Sequence, residues 1–119
     1  MTLVDTSVWI AHFRRSDVAM LQLLNDGEAA IHPFIVGELA CGTFKDRVRA
    51  IQSLQTLPQA LVADEAELYY LLETYRLWGS GLGWVDLHVL ASAALSGWRL
   101  LTADHALQKA AAKIGVPLA

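Results

Sequence analysis

Apolar residues along the chain fall into blocks that alternate between short runs and helically spaced stripes. Residues 2–5 form a short apolar run closed by an acid and read as a strand. Val8, Trp9, Ala11, His12 and Phe13 follow as a helix, with Thr6 or Ser7 as its N-cap. Residues 17–25 (DVAMLQLLN) carry Met20, Leu21, Leu23 and Leu24 at helical spacing, with Ser16 as cap. Asp26-Gly27 marks a turn, and residues 28–32 (EAAIH) read as a short strand. Pro33 fits the first turn of a helix over PFIVGELACG, which Gly42 closes. In residues 45–57, Val48, Ile51, Leu54 and Leu57 lie three apart on one stripe, and Pro58 stops the pattern. Residues 60–63 (ALVA) read as a strand. Residues 64–78 form a helix with Leu68, Leu71, Leu72, Tyr75 and Trp78 on its stripe and Asp64 and Glu65 at its positive end. GSGLG (79–83) is a flexible connection. A nearly uncharged helix over 84–96 is capped by Gly97. A strand over 98–102 and an alanine-rich helix over 104–114, ended by Gly115 and Pro117, complete the chain.

Short strands alternating with helices predict an α/β fold: a central, mainly parallel sheet of short strands covered on both faces. The 119 residues suffice for one domain, 1–119, with a real core. No repeat, low-complexity tract or linker divides them. The loops at 14–16 and 79–83 are the expected mobile segments. Hydrophobic residues make up 55% of the chain, above the usual ~45–50%, so the composition allows a filled core, an apolar partner surface, or both. No apolar run approaches the roughly 18 residues of a membrane span. The N-terminus has no basic stretch or small-residue cleavage site, so no signal peptide and no membrane partner are expected. The single cysteine, Cys41, suits a reducing cytoplasm and reads as a small buried residue.

Four acids stand where acids are least expected. Asp5 ends the first strand, and Asp104 lies just beyond the last, in LLTADHAL. In parallel α/β sheets, ligands bind beyond the carboxyl ends of the strands. Asp86 sits among Trp84, Val85, Leu87, Val89 and Leu90, and Glu38 among Ile35, Val36, Leu39 and Ala40. Each has a second reading: Asp5 as a turn or cap acid, Glu38 as a solvated helix-edge residue, Asp86 as a first-turn dipole acid, Asp104 as a helix cap. Taken together they point to a divalent cation. Hard cations take carboxylate oxygens, and gathering four carboxylates without one is electrostatically expensive. No Lys or Arg lies within three positions of any of the four. The net charge of −3 does not advertise a phosphate partner. With the four acids set aside, however, nine bases face eight acids, and two divalent cations would bring the formal charge to +1.

Other chemistries lack their motifs. GSGLG follows no strand and is no dinucleotide fingerprint. No phosphate-binding GxxxxGK[ST] loop, G-x-S-x-G elbow or zinc-like histidine spacing occurs. His88 reads as a helix-face or core histidine that can support a site from behind. Asp5 has no second Asp two residues on, and WRLLTADHA offers no lysine. Both count against a phosphatase or receiver-like domain with an acidic pocket. A non-catalytic α/β interaction module is the remaining alternative.

Four segments, MTLVDTSVWI, VGELACG, LGWVDLHVLASA and LLTADHALQKAA, resemble the signature segments of the PIN-domain ribonucleases, and most of all the VapC toxins of bacterial type II toxin–antitoxin systems. The resemblance runs in order along essentially the whole chain. It implies a three-layer α/β/α PIN-like fold. It puts Asp5, Glu38, Asp86 and Asp104 in the positions of a catalytic, metal-binding acidic quartet supported by Ser7 and Thr102. Asp5 and Asp86 are expected as main ligands, with Asp104 and Glu38 completing a second site or orienting water. It further implies Mg²⁺ or Mn²⁺ and endoribonuclease cleavage of RNA, often tRNA or rRNA. The implied assembly is a homodimer that forms a heterocomplex with a cognate antitoxin, whose apolar segment packs beside the site. Trp9, Phe13 and the 45–57 helix are candidate antitoxin contacts, with core packing favoured for Phe13. Arg14, Arg15, Lys45, Arg47 and Arg49 are candidate RNA contacts, with a solvated helix face as the alternative.

Overall fold

β1 (Thr2–Val4) is buried along its whole length and runs parallel between β2 (Ala29–Ala30) and β3 (Arg99–Leu101). The computed structural model describes residues 1–119. Isolated parallel bridges extend the sheet at both edges, Ile31 with Gln59 beyond β2 and Leu100 with Leu118 beyond β3. Helices α1 (Thr6–Arg14) and α2 (Val18–Asn25) carry the chain from β1 to β2. Helices α3 (Pro33–Ala40) and α4 (Arg47–Leu54) carry it onward to Gln59. The return to β3 runs the other way, through α5 (Glu65–Tyr75) and α6 (Trp84–Ser96), and α7 (His105–Ile114) leads to the far edge. Right-handed crossovers in opposite directions put α1–α4 on one face and α5–α7 on the other. The packing agrees: α1 lies on α3 and α3 on α4, while α5 lies on α6 and α6 on α7. This is the three-layer α/β/α arrangement expected from the sequence.

The direction of travel reverses at β1, so the crevice between the carboxyl ends of β1 and β3 is a topological switch point. Helix α6 backs this crevice, and its residues 87–93 are buried without interruption. Leu3, Val4, Leu90, Leu100 and Leu107 are fully buried around it. Burial of such side chains contributes about 1.5–3 kcal/mol each.

Several boundaries differ from the expectation. The strand over 60–63 does not form: the chain bonds to Ile31 on either side of Gln59 and then leaves the sheet, with Leu61 and Val62 exposed. Helix α4 starts only at Arg47, because Asp46 is in the left-handed region (φ 54°). Helix α5 stops at Tyr75 for the same reason, with Arg76 at φ 52°, and leaves Trp78 outside and exposed. Asp5, not Thr6 or Ser7, occupies the N-cap position of α1, and Asp17, not Ser16, caps α2 by accepting from the Met20 N–H. Cys41 is exposed at the end of α3 rather than buried, although Leu39 beside it is buried. No helix is long and apolar enough to cross a membrane.

Candidate active site

Asp5 follows β1 directly and is buried. Its Oδ2 accepts two hydroxyl hydrogen bonds, from Thr102 at 2.7 Å and from Ser7 at 3.1 Å. Both hydroxyls also accept from the loop after β3. Thr102 Oγ1 receives the Asp104 N–H at 3.0 Å, and Ser7 Oγ receives the Ala103 N–H at 3.2 Å. The two small polar residues therefore lock the end of β1 to the end of β3 and fix the Asp5 carboxylate in one orientation.

Asp104 is the N-cap of α7, and its Oδ1 accepts from the Leu107 N–H at 3.0 Å. Asp86 lies in the first turn of α6, where its Oδ2 accepts from the Gly83 N–H at 2.9 Å. The cap and first-turn readings of these two acids thus hold, and they coexist with a place at the crevice. Burial pushes the Asp86 carboxyl above the usual carboxylate range, the Gly83 N–H opposes this, and the charges of Asp5 and Asp104 add to the rise. Two acids distant in sequence are therefore close enough to act on Asp86 electrostatically. Glu38 is exposed on α3, and its Oε1 accepts from Thr6 Oγ1 at 2.8 Å. The role of Thr6 was not legible in the sequence, because its partner lies 32 positions away.

A common feature unites the four carboxylates. Each has one oxygen held by the protein, while the other accepts no hydrogen bond from it. None is paired with a cation; the one ion pair in the structure joins the N-terminal amine to Glu28. Anchored carboxylates with a free oxygen each, and no Lys or Arg among them, are a donor set suited to a hard divalent cation. No three acidic, imidazole or thiol side chains are drawn together tightly enough to hold an ion by themselves.

The remaining expected residues are spread around this centre. Arg14 and Glu38 line one cavity of about 270 Å³, together with Ile10, Phe13, Leu39 and Phe44. Phe13 is half-buried and stacks on Phe44 at 4.8 Å, whereas Trp9 is 2% exposed and donates its indole N–H to the Val4 carbonyl. Trp9 is thus a core residue rather than a surface contact, and Phe13 packs against the core as expected while also lining the cavity. Arg15, Lys45 and Arg49 are exposed, but the Arg47 guanidinium is bound to the Ala40 carbonyl at the end of α3. His88, two residues beyond Asp86 on α6, is buried, with its ring 4.5 Å from that of Phe34 and 5.4 Å from that of Trp84.

Acids at the switch point of a parallel sheet, held by small hydroxyls and backbone N–H groups, define an α/β domain with an acidic crevice. Residues 2–113 match the PIN domain family. Over its full length the chain is 47% identical to Ribonuclease VapC32 of Mycobacterium tuberculosis, with 97% of that protein covered and the same figures in strains CDC 1551 and H37Rv. The chain belongs to the PIN-domain family and, within it, to the VapC ribonucleases.

Proposed function

We propose that this single domain is a metal-dependent endoribonuclease and the toxin of a type II toxin–antitoxin pair, acting in the cytoplasm. The observation that carries the reading is the set of four carboxylates, each with one anchored and one free oxygen and none paired with a cation. Full-length similarity to a protein named as a VapC ribonuclease supports it.

In this reading Asp5, Asp86, Asp104 and Glu38 hold Mg²⁺ or Mn²⁺ through their free oxygens. When bound, such ions supply an activated water and offset the charge of a phosphodiester under attack. The protein's own residues supply position. Thr102 and Ser7 keep Asp5 from rotating, and the Gly83 and Leu107 N–H groups do the same for Asp86 and Asp104. No serine, cysteine or histidine is needed as nucleophile. Arg14 and Arg15, at the end of α1, are assigned to substrate phosphates, a reading supported by the cavity that Arg14 shares with Glu38.

Ile10, Phe13, Leu39 and Phe44 form the apolar part of the cavity that Glu38 also lines, and we assign that part to the antitoxin's apolar segment. Homodimerisation is assigned to the α5–α6 face, where Tyr69, Tyr70, Trp84 and Leu95 are exposed. Light scattering of the antitoxin-free protein should then give twice the chain mass of 13.0 kDa; the chain mass itself would remove the dimer. The test of function is sequencing of RNA ends after induction without antitoxin. New ends at a few sites, in tRNA or rRNA, should appear with the wild type and not with Asp5→Asn. The same ends with both would contradict the reading.

A further inference from the structure

A second, oppositely charged feature lies along the helix that Asp104 caps. A cavity of about 360 Å³ lies between the end of α5 and the exposed side of α7. Arg76, Lys109 and Lys113 line it, together with Gly79, Ser80 and Ala106, and no acid does. None of the three cations is in an ion pair. Three like charges on one cavity repel unless something anionic is shared between them. Arg76 is one of only two non-glycine residues with positive φ (52°). Glycine would fit that helix-ending position with less strain. The arginine there turns off the end of α5, and its side chain lines this cavity.

The cavity is also joined to the candidate site. Ala106, on its wall, is two residues beyond Asp104 in the first turn of α7. The 79–83 loop lies against that turn, for a Cβ at Gly81 would meet the Ala106 Cβ at 3.6 Å. The same loop ends at Gly83, whose N–H holds Asp86. At 1.5 Å per residue, Lys109 and Lys113 stand about 8 and 14 Å along the helix axis from Asp104. That axial separation sets the cations apart from the carboxylate on the helix that Asp104 caps.

We propose that Arg76, Lys109 and Lys113 form a binding site for the phosphates of the RNA strand flanking the bond to be cut. The choice of RNA as the polyanion rests on the function proposed above; the test reads binding apart from cleavage, so the two can fail separately. A labelled single-stranded RNA is titrated with the full chain in EDTA over a series of KCl concentrations, and its fluorescence anisotropy is followed. Each phosphate contact on a single strand contributes about 0.7 to the slope of log K against log salt. The triple variant Arg76→Gln, Lys109→Gln, Lys113→Gln should bind about tenfold or more weakly at low salt, with a slope shallower by about 2. In metal-supported cleavage its KM should rise by more than its kcat falls. Should the triple variant fold poorly, Lys109→Gln alone, on an exposed position, should lower the slope by about 0.7. Unchanged affinity and slope, or a wild type whose RNA binding ignores salt, would overturn the proposal and leave a solvated helix face or a protein contact. A wild type and variants that show the expected slopes, with no metal-supported cleavage by the wild type, would instead count against the proposed function alone.

Discussion

The hydroxyl of Thr102 shows how single residues organise the candidate site. It receives the Asp104 N–H and donates to Asp5 Oδ2, so one side chain sets two of the four acids. Thr102→Val keeps the shape and removes both bonds. Loss of such a supporting partner typically lowers metal affinity or activity 10–100-fold, so a drop of about that size is expected. A stability cost of about 1–3 kcal/mol, read from urea unfolding, should accompany it, because a buried carboxylate oxygen loses a donor. Asp86 gives the opposite sign. Its folded pKa is raised, chiefly by burial, so its protonated form favours folding below the unfolded pKa. That contribution fades as pH rises through the folded value, and at neutral pH the charge opposes folding. Asp86→Asn keeps an oxygen for the Gly83 N–H and removes the charge. Metal-free Asp86→Asn should therefore melt at or above the wild-type temperature at pH 7 while losing activity. A large fall in melting temperature would return Asp86 to a purely structural role. The four acids could be singled out as candidates in the sequence because each stood at or just beyond a strand end or on an apolar helix. Arg76, Lys109 and Lys113 could not be, since 33 positions separate Arg76 from Lys109 and only the fold joins them.

Among the elements, α3 carries a titratable cap. His32 Nδ1 accepts from the Phe34 N–H at 2.9 Å, and the ring is fully buried. Burial, and then the nearby His88, lower its pKa from 6.5 to about 4. A lowered pKa contributes stability that is full above about 6.5 and lost as pH falls towards 4. The shift corresponds to about 3 kcal/mol across that window. His32→Asn keeps a capping oxygen but does not titrate. Its unfolding free energy should be flatter between pH 6.5 and 4 than that of the wild type. Equal pH dependence in the two proteins would show that the acid sensitivity lies elsewhere. Helix α6 was read correctly from residue 84 to residue 96 because a long apolar run ends in a left-handed glycine, Gly97 at φ 68°. The strand over 60–63 was misread because ALVA has strand composition but only Gln59 meets Ile31, and apolar Leu61 and Val62 face outward. The end of α5 was misread because an arginine, not a glycine, takes the left-handed position.

Across the whole molecule, the charge is divided rather than uniformly acidic. The net charge of −3 conceals an acidic crevice at the carboxyl end of the sheet and a basic cavity along α7. At the crevice itself the carboxylates repel the phosphodiester to be cut unless a cation offsets them, which is why cleavage, unlike binding at the basic cavity, hangs on a divalent cation. The expected layers and the parallel sheet followed from alternating strands and helices, and the matched residues 2–113 cover nearly all of the chain. The order β2-β1-β3, which brings Asp5 beside Thr102, needed the fold, since periodicity carries no information on which strands pair. The most direct measurement is a Mn²⁺ titration of the antitoxin-free protein with RNA present. Bound metal is followed by electron paramagnetic resonance and cleavage by gel, for the wild type and Asp5→Asn side by side. The account predicts that wild-type cleavage rises with bound Mn²⁺, stops in EDTA, and is lost together with metal binding in Asp5→Asn. Equal cleavage by the variant, or undiminished cleavage in EDTA, would contradict it.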